Sequence, residues 1–139
     1  MKYYSGFQSI NIKKVVNLIL HFFYTIKSKI FFLRLPRHIK SKIKELTNYS
    51  VCIDCGANIG LVSYIFYTFG AKVYAFEPNP DAFDKLKNLS TSHLNIYPYK
   101  SAVGLNDGFS RLFLHNDSVE DKLKYSTGSS MVKSKPNTN

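Results

Sequence analysis

The stretch VCIDCGANIG, residues 51–60, decides the fold of this 139-residue chain. It is a short apolar run that ends at an acid and a glycine, a pattern typical of a buried parallel strand followed by a tight turn into a helix. In open α/β sheets, ligands bind in the crevice beyond such strand tips. Asp54, Gly56, Asn58 and Gly60 lie at this turn. These four residues are therefore the first candidate binding residues.

The spacing of the turn residues distinguishes between classes of ligand. A dinucleotide-binding turn has the pattern G-x-G-x-x-G, whose glycines make room for a pyrophosphate. Here Asp54 precedes the first glycine, and a carboxylate there would repel a pyrophosphate but accept hydrogen bonds from an ammonium group. S-adenosylmethionine carries an ammonium and a sulfonium and has no phosphate. The helix that follows should begin with unpaired amides that favour an anion.

A second acid is expected at the tip of the next strand. Glu77 lies 21 positions after Gly56 and ends the run AKVYAFE, residues 71–77. At that distance from the glycine turn, an acid is placed to accept both hydroxyl groups of a ribose.

Strands and helices alternate through the middle of the chain. Gly70 is expected to cap the first helix at its C-terminus, and Asn79 to cap the second at its N-terminus with Pro80 at its first position. The pattern predicts one half of a doubly wound α/β fold. The predicted elements are strand 49–55, helix 59–69, strand 71–77, a helix from Pro80, strand 95–103 and an antiparallel strand 109–115.

Three segments resemble the first blocks of the FkbM-type S-adenosylmethionine-dependent methyltransferases. They are DCGANIG at 54–60, VYAFEPNPDAFDKLKNL at 73–89 and NIYPYKSAVG at 95–104, and GSSMVK at 128–133 resembles a later segment. The resemblance covers roughly residues 49–133. It implies a Rossmann-like class I methyltransferase fold that binds S-adenosylmethionine and methylates a hydroxyl of a sugar or other small metabolite.

The resemblance also implies roles for seven residues. The turn residues Asp54, Gly56, Asn58 and Gly60 would line the methionine end of the cofactor, and Glu77 would hold the ribose. Ser101 and Ala102 would lie near the adenine. No catalytic residue is predicted, because His93 and His115 are interpreted as ordinary surface or strand histidines. No metal site is predicted, since two cysteines cannot supply a four-ligand zinc site.

One later block of the family, a strand rich in Lys-Ile-Asp-x-Glu-Gly, is missing from the sequence. The chain is therefore expected to be a truncated or split cofactor-binding half that needs a second polypeptide to complete its sheet. Three regions are predicted: a basic helical extension at 1–48, an α/β half-domain at 49–115 and a polar, poorly structured tail at 116–139.

The positive charge of the chain belongs to its front third. Residues 1–47 carry ten Lys and Arg against one acid, Glu45, which gives +9, whereas residues 48–139 carry nine against eight, which gives +1. This distribution argues against a nucleic-acid surface spread over the whole fold. The basic run at 34–44 is interpreted as a solvated helix face, with contact to RNA phosphates or anionic lipid as the alternatives.

The front third is also predicted to contain an amphipathic helix at residues 13–28. Asn17, His21, Thr25 and Ser28 recur at helical spacing and form one polar stripe, while the rest of the circumference is apolar. The apolar run 15–26 has 12 residues, fewer than a membrane span needs. Three covers for the apolar side remain open: the later domain, a partner, or a membrane surface through peripheral contact.

Two further functions compete with a complete enzyme. One is a non-catalytic cofactor-binding remnant held on a partner or membrane through residues 13–28, and the other is a nucleic-acid methyltransferase that uses the basic front third. The first hypothesis remains a methyltransferase with a small-molecule or glycan acceptor, located in the cytoplasm and either soluble there or peripheral to the membrane.

Overall fold

The computed structural model describes residues 12–113, which form two helices followed by alternating strands and helices. The three strands make one parallel sheet in the order β1-β2-β3. The alternation predicted from the sequence is confirmed, and His115 and the predicted tail lie outside the described residues. The elements are α1 (Ile12–Arg34), α2 (Arg37–Lys44), β1 (Val51–Cys55), α3 (Leu61–Thr68), β2 (Lys72–Phe76), α4 (Pro80–Thr91) and β3 (Ile96–Tyr99).

The register of the sheet brings the three strand tips together. Asp54 pairs with Ala75 between β1 and β2, and Phe76 pairs with Tyr99 between β2 and β3. Beyond β2, the amide of Glu77 donates to the carbonyl of Tyr99 at 3.0 Å. The turns that follow β1 and β2 therefore leave the sheet side by side at one edge.

The ends of the two inner helices follow from local sequence signals. At the end of α3, Gly70 has φ +99°, and its amide donates to Tyr67 while the amide of Ala71 donates to Phe66, which is a Schellman cap. At the start of α4, the Asn79 side chain accepts hydrogen bonds from two backbone amides of the first turn, with proline at the first position. Both predicted caps are confirmed.

The core lies between one face of the sheet and helices α3 and α4. Val73 and Ala75 of β2 are fully buried there, together with Leu86 of α4. On the opposite face Val51 and Ile53 of β1 are 62% and 65% exposed. The prediction of a buried β1 therefore holds for one face only, because the described helices pack on a single side of the sheet. The result is a mixed fold of helices and a three-stranded parallel sheet.

The segment after β3 differs from its prediction. β3 ends at Tyr99 rather than at Val103, and residues 109–112 form no strand. The alternation of apolar and polar residues from Phe109 onward predicted an antiparallel strand. That prediction is wrong over 109–112, because such a pattern needs an apolar surface to bury its side chains, and the Phe109 side chain is fully exposed.

Helix α1 is longer than predicted. It has 23 residues, about 34 Å, because it continues past Ser28 through a second apolar run. Residues 14–34 are long and apolar enough to cross a membrane as judged by length and composition alone. The exclusion of a span from the 12-residue run 15–26 was therefore wrong on length.

Helix α1 packs against α3 through its polar stripe. The Tyr24 hydroxyl donates to the Ile59 carbonyl at 2.6 Å, and the Thr25 and Tyr64 hydroxyls lie 2.9 Å apart. Burial raises the pKa of Tyr24 to about 12. The helix is thus held by the folded chain itself, one of the three covers considered, but through its polar side rather than its apolar side.

Candidate functional site

The turn after β1 is a compact hydrogen-bonded loop. The amides of Gly56 and Ala57 both donate to the Phe76 carbonyl, at 2.9 and 3.0 Å, which ties the turn to the tip of β2. Gly56, Asn58 and Gly60 all have positive φ, at 79°, 52° and 89°. Glycine and asparagine tolerate this conformation better than other residues. The spacing of the motif thus follows from the path of the backbone.

The two glycines of the turn have different roles. A β-carbon at Gly60 would lie 2.7 Å from Leu89 and 2.8 Å from Leu86, so this glycine lets the start of α3 pack closely on α4. The neighbour that requires a glycine at position 60 is therefore α4. A β-carbon at Gly56 would have no atom within 4 Å. The backbone at Gly56 is accordingly open to an approaching ligand.

The carboxylate of Glu77 joins the turns that follow β1 and β2. Its Oε2 accepts the Asn58 amide and its Oε1 accepts the Asn79 amide, both at 2.7 Å, and the residue is only 6% exposed. Hydrogen bonds to a charged acceptor are the strong ones. A carboxylate offers about four acceptor positions, so acceptor capacity remains after these two bonds. Glu77 is therefore a fixed negative charge between the two strand tips.

The turn does not form a cradle for a phosphate. Its five consecutive amides, Gly56 to Gly60, each donate to an acceptor inside the protein: the Phe76 carbonyl, the Glu77 carboxylate, the Asn58 side chain or the Ala57 carbonyl. The expectation of unpaired amides concerned the first turn of α3, which follows these positions, and in the turn before it a resident carboxylate already holds the Asn58 amide. A diphosphate would meet negative charge here rather than free donors.

The carboxylate of Asp54 is turned towards the first turn of α3. Its Oδ2 accepts the Ser63 hydroxyl at 2.6 Å, and Ser63 is fully buried. Burial raises the pKa of Asp54, and the hydrogen bonds from Ser63 oppose that shift. An acid near the start of a helix also stabilises its unpaired amides. Ser63 was missed at the sequence level, although a serine at the third position of a helix beyond an acidic strand tip is a recognisable signal.

Ser101 and Ala102 lie further along the same edge of the sheet. Both are exposed, and with Pro78 they line a hollow of about 630 Å³ beyond β2 and β3. Asp54 and Gly56 do not line this hollow. The structure therefore brings Asp54, the glycine turn and Glu77 together, while Ser101 and Ala102 flank the next strand.

The remaining titratable groups near the domain have structural surroundings. His93 is 4% exposed, donates from Nδ1 to the Leu89 carbonyl at 2.7 Å, and stacks on His21 of α1. It follows α4 rather than a strand and is buried, so its interpretation as a surface or strand histidine was wrong. Cys52 and Cys55 are free thiols, and burial raises the pKa of Cys52. Within residues 12–113 no group of three or more metal-ligating side chains occurs.

A parallel sheet with a glycine turn and an acid at adjacent strand tips defines an α/β protein of the kind that binds a small ligand at that edge. The family model of the methyltransferase FkbM domain matches residues 54–138, more than half of the chain. The chain therefore belongs to the FkbM methyltransferase family and is a methyltransferase by that resemblance. No curated protein matches the sequence.

Proposed function

We propose that the chain binds S-adenosylmethionine at the tips of β1 and β2 and serves the transfer of its methyl group to a hydroxyl of a sugar or other small metabolite. One observation carries the proposal: the buried Glu77 carboxylate accepts a hydrogen bond from a backbone amide of each turn, both at 2.7 Å. Because the amides of the glycine turn are already paired inside the protein, the turn offers no donors to a pyrophosphate, which favours a cationic, phosphate-free nucleoside over a dinucleotide. The family match supports the same choice, since a methyltransferase needs a methyl donor.

The turn residues would divide the work of holding this cofactor. Gly56 leaves open space at the backbone for the methionine end, with Asn58, Gly60 and Asp54 fixing the path of the turn. Glu77 would accept hydrogen bonds from the ribose hydroxyls at the carboxylate positions that remain after its hydrogen bonds to the two backbone amides. Ser101 and Ala102 would lie on the adenine side, beyond β3.

When bound, this cofactor supplies an electrophilic methyl group on a sulfonium. The protein's contribution to such a displacement is chiefly to hold donor and acceptor in line. An acceptor hydroxyl also needs a base within hydrogen-bond reach. His93 does not fit that role, because it is buried against His21 and lies after α4, away from the strand tips.

The exposed face of β1 bears on whether the sheet is covered by helices on both sides. In doubly wound class I folds, helices cover both faces of the sheet, whereas Val51 and Ile53 here are largely exposed. We propose that helices from a second polypeptide cover this face and that the acceptor pocket forms with them.

Calorimetric titration of the full chain with S-adenosylmethionine tests the cofactor assignment, with NAD as the competing dinucleotide. We expect a heat of binding with S-adenosylmethionine and none with NAD, and tight binding of NAD would refute the proposal. Gly56→Ala should weaken binding, because its methyl group would enter the open space beside the backbone, and its positive φ costs about 1–2 kcal/mol of stability without overpacking. Leu94→Ala, a change in a side chain that is 82% exposed and lies before β3, is the control.

A second measurement separates the enzyme from a non-catalytic module. Methyl groups from labelled cofactor should appear in a sugar or small-metabolite fraction and not in RNA. If the second polypeptide is required, the purified chain alone binds the cofactor, and transfer appears only after a cell-extract fraction is added. Binding without transfer under every condition would support the non-catalytic alternative.

A further inference from the structure

The outward side of α1 is apolar over most of the length of the helix. We call the side formed by Val16, Ile19, Phe23, Ile26 and Ile30 the outer face, and each of these residues is 40% exposed or more. At about 100° per residue, the last four lie within roughly 30° of one line along the helix. The outer face is therefore a continuous apolar strip and not a scatter of single exposed residues.

The orientation of α1 is the reverse of an ordinary surface helix. Such a helix buries its apolar stripe and exposes its polar one. Here the polar residues Tyr24 and Thr25 make the hydrogen bonds to the domain, and Ser28 is 6% exposed. The apolar strip is thus held outward by polar contacts. A large exposed apolar surface of this kind marks an interaction site.

Positive charge borders the outer face on both sides. By helical geometry, Lys27 and Lys29 lie on opposite sides of the strip, roughly 70° and 90° from its centre, and both are exposed. Helix α2 adds four more basic residues, and the first acid in the whole sequence is Glu45. An apolar strip between lysines matches the chemistry of an anionic lipid surface, where acyl chains lie between negatively charged headgroups.

We propose that the outer face of α1 docks on a membrane surface that contains anionic lipid, with the helix lying in the plane of the interface. The strip then enters the boundary between headgroups and acyl chains, and Lys27 and Lys29 contact the headgroups. The α/β domain, with its strand tips, remains in water. This surface is distinct from the cofactor site.

The contacts of α1 favour an in-plane helix over a crossing one. A crossing helix would lose the Tyr24–Ile59 and Thr25–Tyr64 hydrogen bonds, because the domain cannot follow it into hydrocarbon. It would also carry both lysines towards the bilayer interior, which is costly. A second copy of the chain is a poorer occupant, since the bordering lysines of two copies would repel each other.

A tryptophan probe tests the docking directly, because the sequence contains no tryptophan. The full chain with Phe23→Trp should show a blue-shifted emission with vesicles of phosphatidylcholine and phosphatidylserine, and quenching by brominated acyl chains. The control is Phe109→Trp in a fully exposed loop position, whose emission should stay unchanged. Unchanged Phe23→Trp emission would overturn the proposal.

Matched substitutions test the apolar strip and the fold together. Ile19→Ser with Ile26→Ser should lower vesicle affinity by roughly tenfold or more, from the apolar area removed. The control pair, Val51→Ser with Ile53→Ser, lies on the exposed sheet face and should bind like the wild type. Circular dichroism checks that each variant is folded. Equal losses in the two pairs would contradict a specific role for α1.

Neutralising the lysines tests the lipid class. Lys27→Gln with Lys29→Gln should weaken binding to anionic vesicles by about fivefold per lysine, at about 1 kcal/mol each, and leave binding to pure phosphatidylcholine unchanged. Lys85→Gln with Lys87→Gln on α4 is the control. Two results would overturn the proposal: resistance of bound protein to alkaline carbonate extraction, which indicates a crossing helix, and dimers by light scattering with no vesicle binding, which indicates self-association.

Discussion

Replacing Glu77 with glutamine should destabilise the fold by about 2–4 kcal/mol. The carboxylate accepts the amides of Asn58 and Asn79 at 2.7 Å in a nearly fully buried position. Glutamine keeps one carbonyl oxygen and puts an NH₂ group in place of the other, so one amide would face a donor. A hydrogen bond to a charged group contributes about 1.5–3 kcal/mol, and a buried unsatisfied donor costs about 1–3 kcal/mol. The change is large beside a total domain stability of about 5–15 kcal/mol.

Urea unfolding of the full chain, followed by far-ultraviolet circular dichroism, measures this loss. Asp84→Asn makes the same charge change at an exposed position of α4 and should shift the free energy of unfolding by less than about 0.5 kcal/mol. If Glu77→Gln changes the free energy of unfolding no more than Asp84→Asn does, the hydrogen bonds from the two backbone amides to Glu77 do not form and the carboxylate does not join the turns.

The structural role of Glu77 also governs how its proposed binding role is measured. A variant that unfolds cannot bind a cofactor, so lower affinity in Glu77→Ala would by itself say nothing about the ribose. Titration with the cofactor at low temperature and without urea gives the affinity, and the urea unfolding curve gives the folded fraction of the variant. Together these two measurements separate the structural role from the binding role. Affinity per folded molecule that equals the wild type would contradict contact between Glu77 and the ribose.

Three further predictions follow from burial and packing. Because burial raises the pKa of Asp54, the folded state holds the proton more tightly than the unfolded state. Stability is therefore lost as the pH rises through the unfolded-state pKa of about 3.9 towards the higher folded-state pKa. Asp54→Asn should accordingly gain stability relative to the wild type as the pH rises through that window, and a constant difference would contradict this. Gly60→Ala should lower the free energy of unfolding by about 2–5 kcal/mol, because the alanine would be strained at positive φ and would overlap Leu86 and Leu89. Gly56→Ala should lower it only by the backbone strain of about 1–2 kcal/mol. Similar urea midpoints for the two variants would contradict this. Tyr24→Phe should remove the phenol that titrates near pH 12 in an ultraviolet absorbance titration and cost about 1 kcal/mol, and a variant with an unchanged titration curve would show that another tyrosine is the one with the raised pKa.

The helix ends could be predicted because their signals are local. Gly70 at the end of α3 and the Asn79-Pro80 pair at the start of α4 satisfy backbone groups within a few positions of themselves. The succession of strands and helices along the middle of the chain was predictable for a similar reason, since each element is marked by its own pattern of apolar residues. The antiparallel strand from Phe109 failed because strand formation also depends on a surface to pack against.

The candidate site was predictable in position but not in its hydrogen bonds. Sequence spacing placed Asp54 and Glu77 at adjacent strand tips, and the register bears this out. It did not reveal that Glu77 accepts the amide of Asn58, 19 positions away, or that Ser63 donates to Asp54. Such pairings depend on how two turns lie beside each other, and that arrangement exists only once the sheet has formed.

The sequence by itself determined that α1 has one polar stripe and one apolar side, since helical periodicity is a property of a single element. Only the tertiary structure decided which side faces inward. The stripe turns to the domain because the Ile59 carbonyl and the Tyr64 hydroxyl lie where Tyr24 and Thr25 can pair with them. Those partners lie 35 and 39 positions further along the chain, and folding alone brings them together.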